Sequence, residues 1–141
     1  MTMWRKDYRP QNFPTVWRLM ELAIDAGELI APREVYDELQ EGQDDLLEFV
    51  KGKQSNLVKD LDEEQIKLMF EIKARFPQLS DDKKIIPDAD PFVIALARQK
   101  GWKVVTSESD RSPIRIPAAC KHYGIPCLSP ADFIEEKKWV I

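Results

Sequence analysis

The sequence predicts an α/β fold in which a short parallel sheet is covered by helices on both faces. Two observations predict it. Helical periodicities alternate with short, β-branched apolar runs, and Gly or Pro stands at almost every junction between them. At 141 residues the chain is long enough to bury a core as a single domain spanning 1–141.

The elements follow in order. Pro14 opens a helix with Val16, Leu19, Met20, Ala23 and Ile24 on one side, and Gly27 stops it. Leu29 and Ile30 make a very short strand. A second helix is expected over 32–42 with Val35 and Leu39 as its apolar stripe, and a third over 44–50. A fourth, over 63–76, carries Ile66, Met69, Phe70 and Ile72 and ends at Pro77. After a charged loop, Asp90-Pro91 introduces the most apolar helix, over 92–100, closed by Gly101. The run 102–106 reads as a buried strand, 118–123 as a helix ended by Gly124, and 125–128 as a further strand. Ser129-Pro130 caps a last helix holding Phe133, Ile134 and Trp139. Only three strands are evident, and the chain opens on a helix with no strand before it.

Composition narrows the function. Apolar residues make up 43% and charged residues 33%, and no apolar run is long enough to span a bilayer. No charged start leads into an apolar stretch, so no secretory signal is expected. Cys120 and Cys127 fit no disulfide or zinc pattern, which points to buried thiols in a reducing, cytoplasmic setting. A net charge of −4 argues against gripping nucleic acid by bulk electrostatics. The grouped bases, Arg5, Lys6 and Arg9, Lys51 and Lys53, Lys83 and Lys84, and Arg111 and Arg115, read as solvated surface. With His122 the lone histidine, chemistry must come mainly from carboxylates.

Element lengths bring several of those together. A helix of roughly ten residues at about 1.5 Å each matches a strand of roughly five at about 3.3 Å each, so the helix runs back antiparallel to the strand that follows. Asp90 at the helix start therefore shares an edge with Ser107, Glu108, Ser109 and Asp110 after the strand. In open parallel sheets that carboxyl edge is where ligands bind. Asp90 alone is explained as an N-cap before Pro91. A gathering of acids is not, because like charges repel unless a cation or proton intervenes. On the second helix, Glu38 falls within about 60° of Val35, nearer the apolar stripe than Glu34, Asp37 or Glu41, which should mostly face water. Acids without His or Cys suit Mg²⁺ or Mn²⁺, and such an ion can activate water and offset charge on a phosphodiester.

The stretch Asp90-Pro91-Phe92-Val93-Ile94-Ala95-Leu96-Ala97, followed by Val104-Val105-Thr106-Ser107-Glu108-Ser109-Asp110, resembles the second half of PIN-domain ribonucleases. Upstream, Ile30-Ala31-Pro32-Arg33-Glu34-Val35-Tyr36-Asp37-Glu38-Leu39 resembles their strand and helix carrying a Glu-Leu pair. The chain is most similar to a PIN-like subgroup marked by an aromatic- and Arg-rich segment before the first helix, here Trp4-Arg5-Lys6-Asp7-Tyr8-Arg9-Pro10.

That resemblance implies a three-layer α/β/α fold. It also implies a Mg²⁺- or Mn²⁺-dependent endoribonuclease, the toxin of a bacterial toxin–antitoxin pair, acting on RNA, dimeric, and restrained by a cognate antitoxin. It makes Glu38, Asp90 and Glu108 the metal ligands, with Asp110 a nearby acid of the same motif and Asp88 in reserve. Glu108 stands where the family more often has Asp. The family also opens on a central strand ending in its first catalytic Asp. Near Met1 no Asp follows apolar residues, and Asp7 lies in a basic segment. Either the natural start lies upstream, or a central strand and a ligand are lost; the first is expected because without that strand two sheet pieces would stay unpaired, and the shortened chain is expected to bind metal weakly and cleave little or not at all. A non-catalytic PIN-like domain binding RNA or protein is the alternative. A receiver-type regulatory domain ranks behind both, since no strand ends in a phosphate-accepting acid.

Overall fold

The computed structural model describes residues 3–40, 45–79, 88–108, 111 and 115–140. They build a mixed α/β domain, mostly helical, with short parallel sheets. After a π-helical turn at Met3–Asp7 come α1 (Pro14–Asp25), β1 (Ala31–Pro32), α2 (Arg33–Gln40), α3 (Asp45–Gly52), α4 (Gln54–Leu57) and β2 (Val58–Lys59). Then follow α5 (Glu63–Arg75), a 3₁₀ turn at Pro77–Leu79, α6 (Asp90–Lys100), β3 (Val104–Val105), α7 (Ile116–Tyr123), β4 (Cys127–Leu128) and α8 (Pro130–Glu136). Among the described residues no helix is long and apolar enough to cross a membrane.

The strands do not make one sheet. Among the described residues β1 pairs in parallel with β2, and β3 in parallel with β4, as two separate two-stranded sheets. Pro32 has no N–H to donate, which limits the β1–β2 ladder. β3–β4 is held by Val104 N–H to Pro126 O at 2.9 Å and Thr106 N–H to Leu128 O at 2.9 Å. The helix α6 lies against both β1 and β3 and packs most extensively along α5. Its Pro91, Ile94, Ala95, Leu96 and Ala97 are all buried, while Arg98 and Lys100 in its last turn are exposed.

Local chemistry sets the ends of these elements. Asp62 and Gln65 form a reciprocal capping box at the start of α5, and Ser129 and Asp132 do the same for α8. Gly101 and Gly124 close α6 and α7 in the left-handed region, each with φ of 68°, a conformation that side chains with Cβ adopt at a cost.

Several sequence expectations are corrected. The first strand sits at 31–32 rather than 29–30, and β2 and α4 were not visible in the pattern. In α2 the buried anchors are Tyr36 and Leu39, with Val35 only half-buried. On α5 Met69 and Ile72 enter the core, whereas Ile66 and Phe70 are exposed, and Gln65 takes an inner place because the capping box holds it there. The third strand buries only Val104; Trp102 and Val105 are exposed.

Candidate metal and catalytic edge

The site is built from the starts of two helices and the end of one strand. Beyond β3 the backbone N–H of Glu108 donates to Thr106 Oγ1 at 3.2 Å, which folds the chain back over the strand's carboxyl end. Glu108 Oε2 then accepts the Ile116 N–H at 2.9 Å, the first residue of α7. On α2, with Tyr36 and Leu39 anchoring the opposite side, Glu38 Oε1 accepts the Ala89 N–H at 2.6 Å, the residue just before α6. Two glutamates far apart in sequence thus serve the N-termini of two different helices, where unpaired N–H groups and the helix dipole both favour an anion.

Asp90 behaves differently. The sequence reading gave it the capping role, but the residue at the cap of α6 is Ala89, and no side-chain cap hydrogen bond is made there. Asp90 is instead the first residue of the helix, half-buried between buried Ala89 and Pro91. Its carboxyl is pushed up from 3.8 to about 7. Burial is the largest cause, followed by the charges of Glu108, Glu38 and Asp88, with Arg115 opposing them. Four acids predicted or held in reserve, Glu38, Asp88, Asp90 and Glu108, therefore lie within one electrostatic neighbourhood. Asp110, the fifth, lies outside the described residues.

The donor set fits a hard divalent cation in kind, since every candidate ligand is a carboxylate oxygen. Spacing is another matter. Among the described residues no three acids, cysteines or histidines stand close enough to form a ready-made ion site. The edge supplies negative charge and carboxylate oxygens.

Sequence reasoning missed two features of the site. Arg115, at the cap of α7, is the cation that opposes the acids around Asp90. Glu34, expected at the water-facing side of α2, is half-buried with Oε2 lacking a hydrogen-bond partner, and burial raises its carboxyl above the usual range. The charges acting on Glu34 are Asp37, Asp60 and Arg33, so it belongs to a separate environment.

Fold and edge together define a mixed α/β domain with carboxylates of α2, of the segment after β3 and of the start of α6 in one electrostatic neighbourhood. The model of the family described as Domain of unknown function (DUF4411) matches residues 1–141, and the chain belongs to that family. No curated protein and no solved structure matches it.

Proposed function

We propose that the chain is a PIN-type, metal-dependent endoribonuclease, the toxin of a bacterial toxin–antitoxin pair. The observation that carries the reading is Asp90, half-buried, its carboxyl raised to about 7 by burial first and then by the charges of Glu108, Glu38 and Asp88. A fold has little reason to confine four acids unless a cation or proton offsets their repulsion.

Glu38, Asp90 and Glu108 would hold Mg²⁺ or Mn²⁺, with Asp110 nearby. Bound there, the ion supplies activation of water and neutralisation of the phosphodiester charge. Glu38 and Glu108 are oriented by the backbone N–H groups of Ala89 and Ile116, so the start of each helix aims one of the proposed ligands. Arg115, whose charge acts on Asp90, would be the nearby cation available to a substrate phosphate. A cognate antitoxin covering this edge and a homodimeric assembly complete the proposal.

The test is a titration of Mn²⁺ into the purified protein, following ion binding and cleavage of a labelled RNA, with Asp90→Asn in parallel. Cleavage that needs the metal and vanishes in Asp90→Asn supports the enzyme. RNA binding without cleavage, indifferent to metal, rejects it. The second reading, a non-catalytic PIN-like domain that binds RNA or protein, is favoured by the hydrogen bonds of Glu38 and Glu108, which are sufficient as helix caps.

A further inference from the structure

The chain holds two cysteines, Cys120 and Cys127. Their spacing fits no disulfide pattern, yet the fold turns the chain back between them. Cys120 lies in the last turn of α7, Gly124 takes the left-handed conformation behind it, and the Ile125 N–H donates to the Cys120 carbonyl at 2.8 Å. β4 then opens at Cys127, level with Val104 of β3. Val104 and Cys120 lie in one buried cluster, and Cys127 packs against it. The two thiols hydrogen-bond each other.

The two sulfurs differ in access. Cys120 is 0% exposed, whereas Cys127 is half-buried and lines a groove of about 980 Å³ that Arg75, Lys121, Glu108 and Asp132 also line. Charges of both signs share that groove, so burial and the thiol contact decide which sulfur loses its proton first. The Cys120 thiol is pushed up by its hydrogen bond to Cys127, then by burial and by the charge of Cys127. The proton stays on Cys120, and Cys127 becomes the thiolate, the nucleophilic form of the residue. An accessible thiolate with a second thiol already touching it can be oxidised and restored, because its first oxidation product is captured before it goes further.

We propose that Cys127 is a site of oxidation by small hydroperoxides entering the groove, and that Cys120 resolves the product to a reversible disulfide within the chain. With hydrogen peroxide, the Cys127 sulfur attacks one peroxide oxygen. An S–O bond forms and the O–O bond breaks; sulfur gives up two electrons, and the second oxygen takes a proton and leaves as water. The Cys120 sulfur then attacks that of Cys127. The S–S bond forms, the S–O bond breaks, and the hydroxyl leaves as water with the proton of Cys120. Two thiols and one peroxide give one disulfide and two waters. The link ties the end of α7 to the start of β4, where the Ile125 hydrogen bond already holds the backbone. The inference goes beyond the ribonuclease reading and holds whether or not the acid edge binds metal.

The experiment treats the full chain with equimolar hydrogen peroxide, then reads intact mass and counts free thiols after denaturation. Wild type is expected to lose about 2 Da and both thiols without forming linked dimers, and dithiothreitol should restore both. Cys120→Ala should instead gain about 16 Da at Cys127 and take up dimedone, which traps a sulfenic acid. Cys127→Ala should oxidise at least about tenfold more slowly, since its remaining thiol is enclosed. Cys120 is fully buried, so a measurement on wild type alone stands beside the variants. At a fixed ratio of reduced to oxidised glutathione, the folded chain should hold at least about tenfold more disulfide than the chain unfolded in urea, because the fold keeps the sulfurs in contact.

Four results overturn the proposal: both thiols intact in peroxide-treated wild type, a link between two chains in place of one within the chain, a Cys127→Ala protein that oxidises at the wild-type rate, or no more disulfide in the folded chain than in urea. Absence of dimedone uptake by a folded Cys120→Ala protein removes Cys127 as the attacking sulfur and overturns it as well. Circular dichroism verifies that each variant is folded. Cleavage of RNA in Mn²⁺, present or absent, bears on none of these readouts, so the failure of either reading leaves the other standing.

Discussion

Asp90→Asn should make the metal-free protein more stable at pH 8 while removing its response to metal. The magnitude comes from the carboxyl that stands at about 7 in the folded chain against an ordinary 3.8. An acid whose folded value is raised gives stability that is complete below about pH 4 and is lost as pH climbs through 7. At 1.36 kcal/mol per pH unit the full loss is about 4 kcal/mol, and partial solvent access halves it to about 2 kcal/mol. Asn keeps the shape and never ionises. Urea unfolding of both proteins in EDTA, at pH 4 and pH 8, reads the difference directly. The two should be nearly equal at pH 4, with the variant ahead by about 2 kcal/mol at pH 8. Saturating Mn²⁺ at pH 8 should stabilise wild type and leave the variant unmoved. A gap between the proteins that is the same at both pH values would refute the reasoning, because Asp90 would then carry no buried charge.

Two further outcomes test neighbouring parts of the structure. Glu108→Gln keeps an oxygen for the Ile116 N–H and should hold stability within about 0.5 kcal/mol, whereas Glu108→Ala should cost about 1 kcal/mol as a lost helix cap. Both should lower the Asp90 carboxyl, whose rise owes part to the Glu108 charge, and an NMR titration of the Asp side-chain carbons checks the direction. Ile94→Ala, at a fully buried position in the middle of α6, should cost about 3 kcal/mol in urea unfolding.

The parts of this fold legible in the sequence are those with enough residues to show a period. The turns of α5 and α6 repeat their pattern several times, and Gly101 and Gly124 mark helix ends through a backbone conformation that follows from residue type alone. β2 was not legible, because a two-residue strand such as Val58–Lys59 contains no alternation to detect. The edge shared by Asp90 and Glu108 was expected from matching a helix of roughly ten residues to a strand of roughly five; β3 is only Val104–Val105, so that length match does not carry it. Glu38 was the best-placed acid of α2 by helical angle, and it does reach the Ala89 N–H at the start of α6. The actual partners were beyond reach. Both Glu38–Ala89 and Glu108–Ile116 join a side chain to a backbone group across segments with no common periodicity.

Capping alone does not account for the edge. A helix start needs an acceptor oxygen, which Ser, Thr or Asn supplies without charge, and Ser129 does so for α8 in this same chain. At α6 and α7 the acceptors are glutamates brought in from elsewhere, Glu38 from another helix and Glu108 from eight residues upstream. Each adds a full negative charge to a neighbourhood that already contains Asp88 and Asp90. The two helix N-termini offset part of that charge at Glu38 and Glu108 through their N–H groups. No side-chain cap hydrogen bond is made at the start of α6, and the Asp90 carboxyl is raised by burial first and then by the charges of Glu108, Glu38 and Asp88.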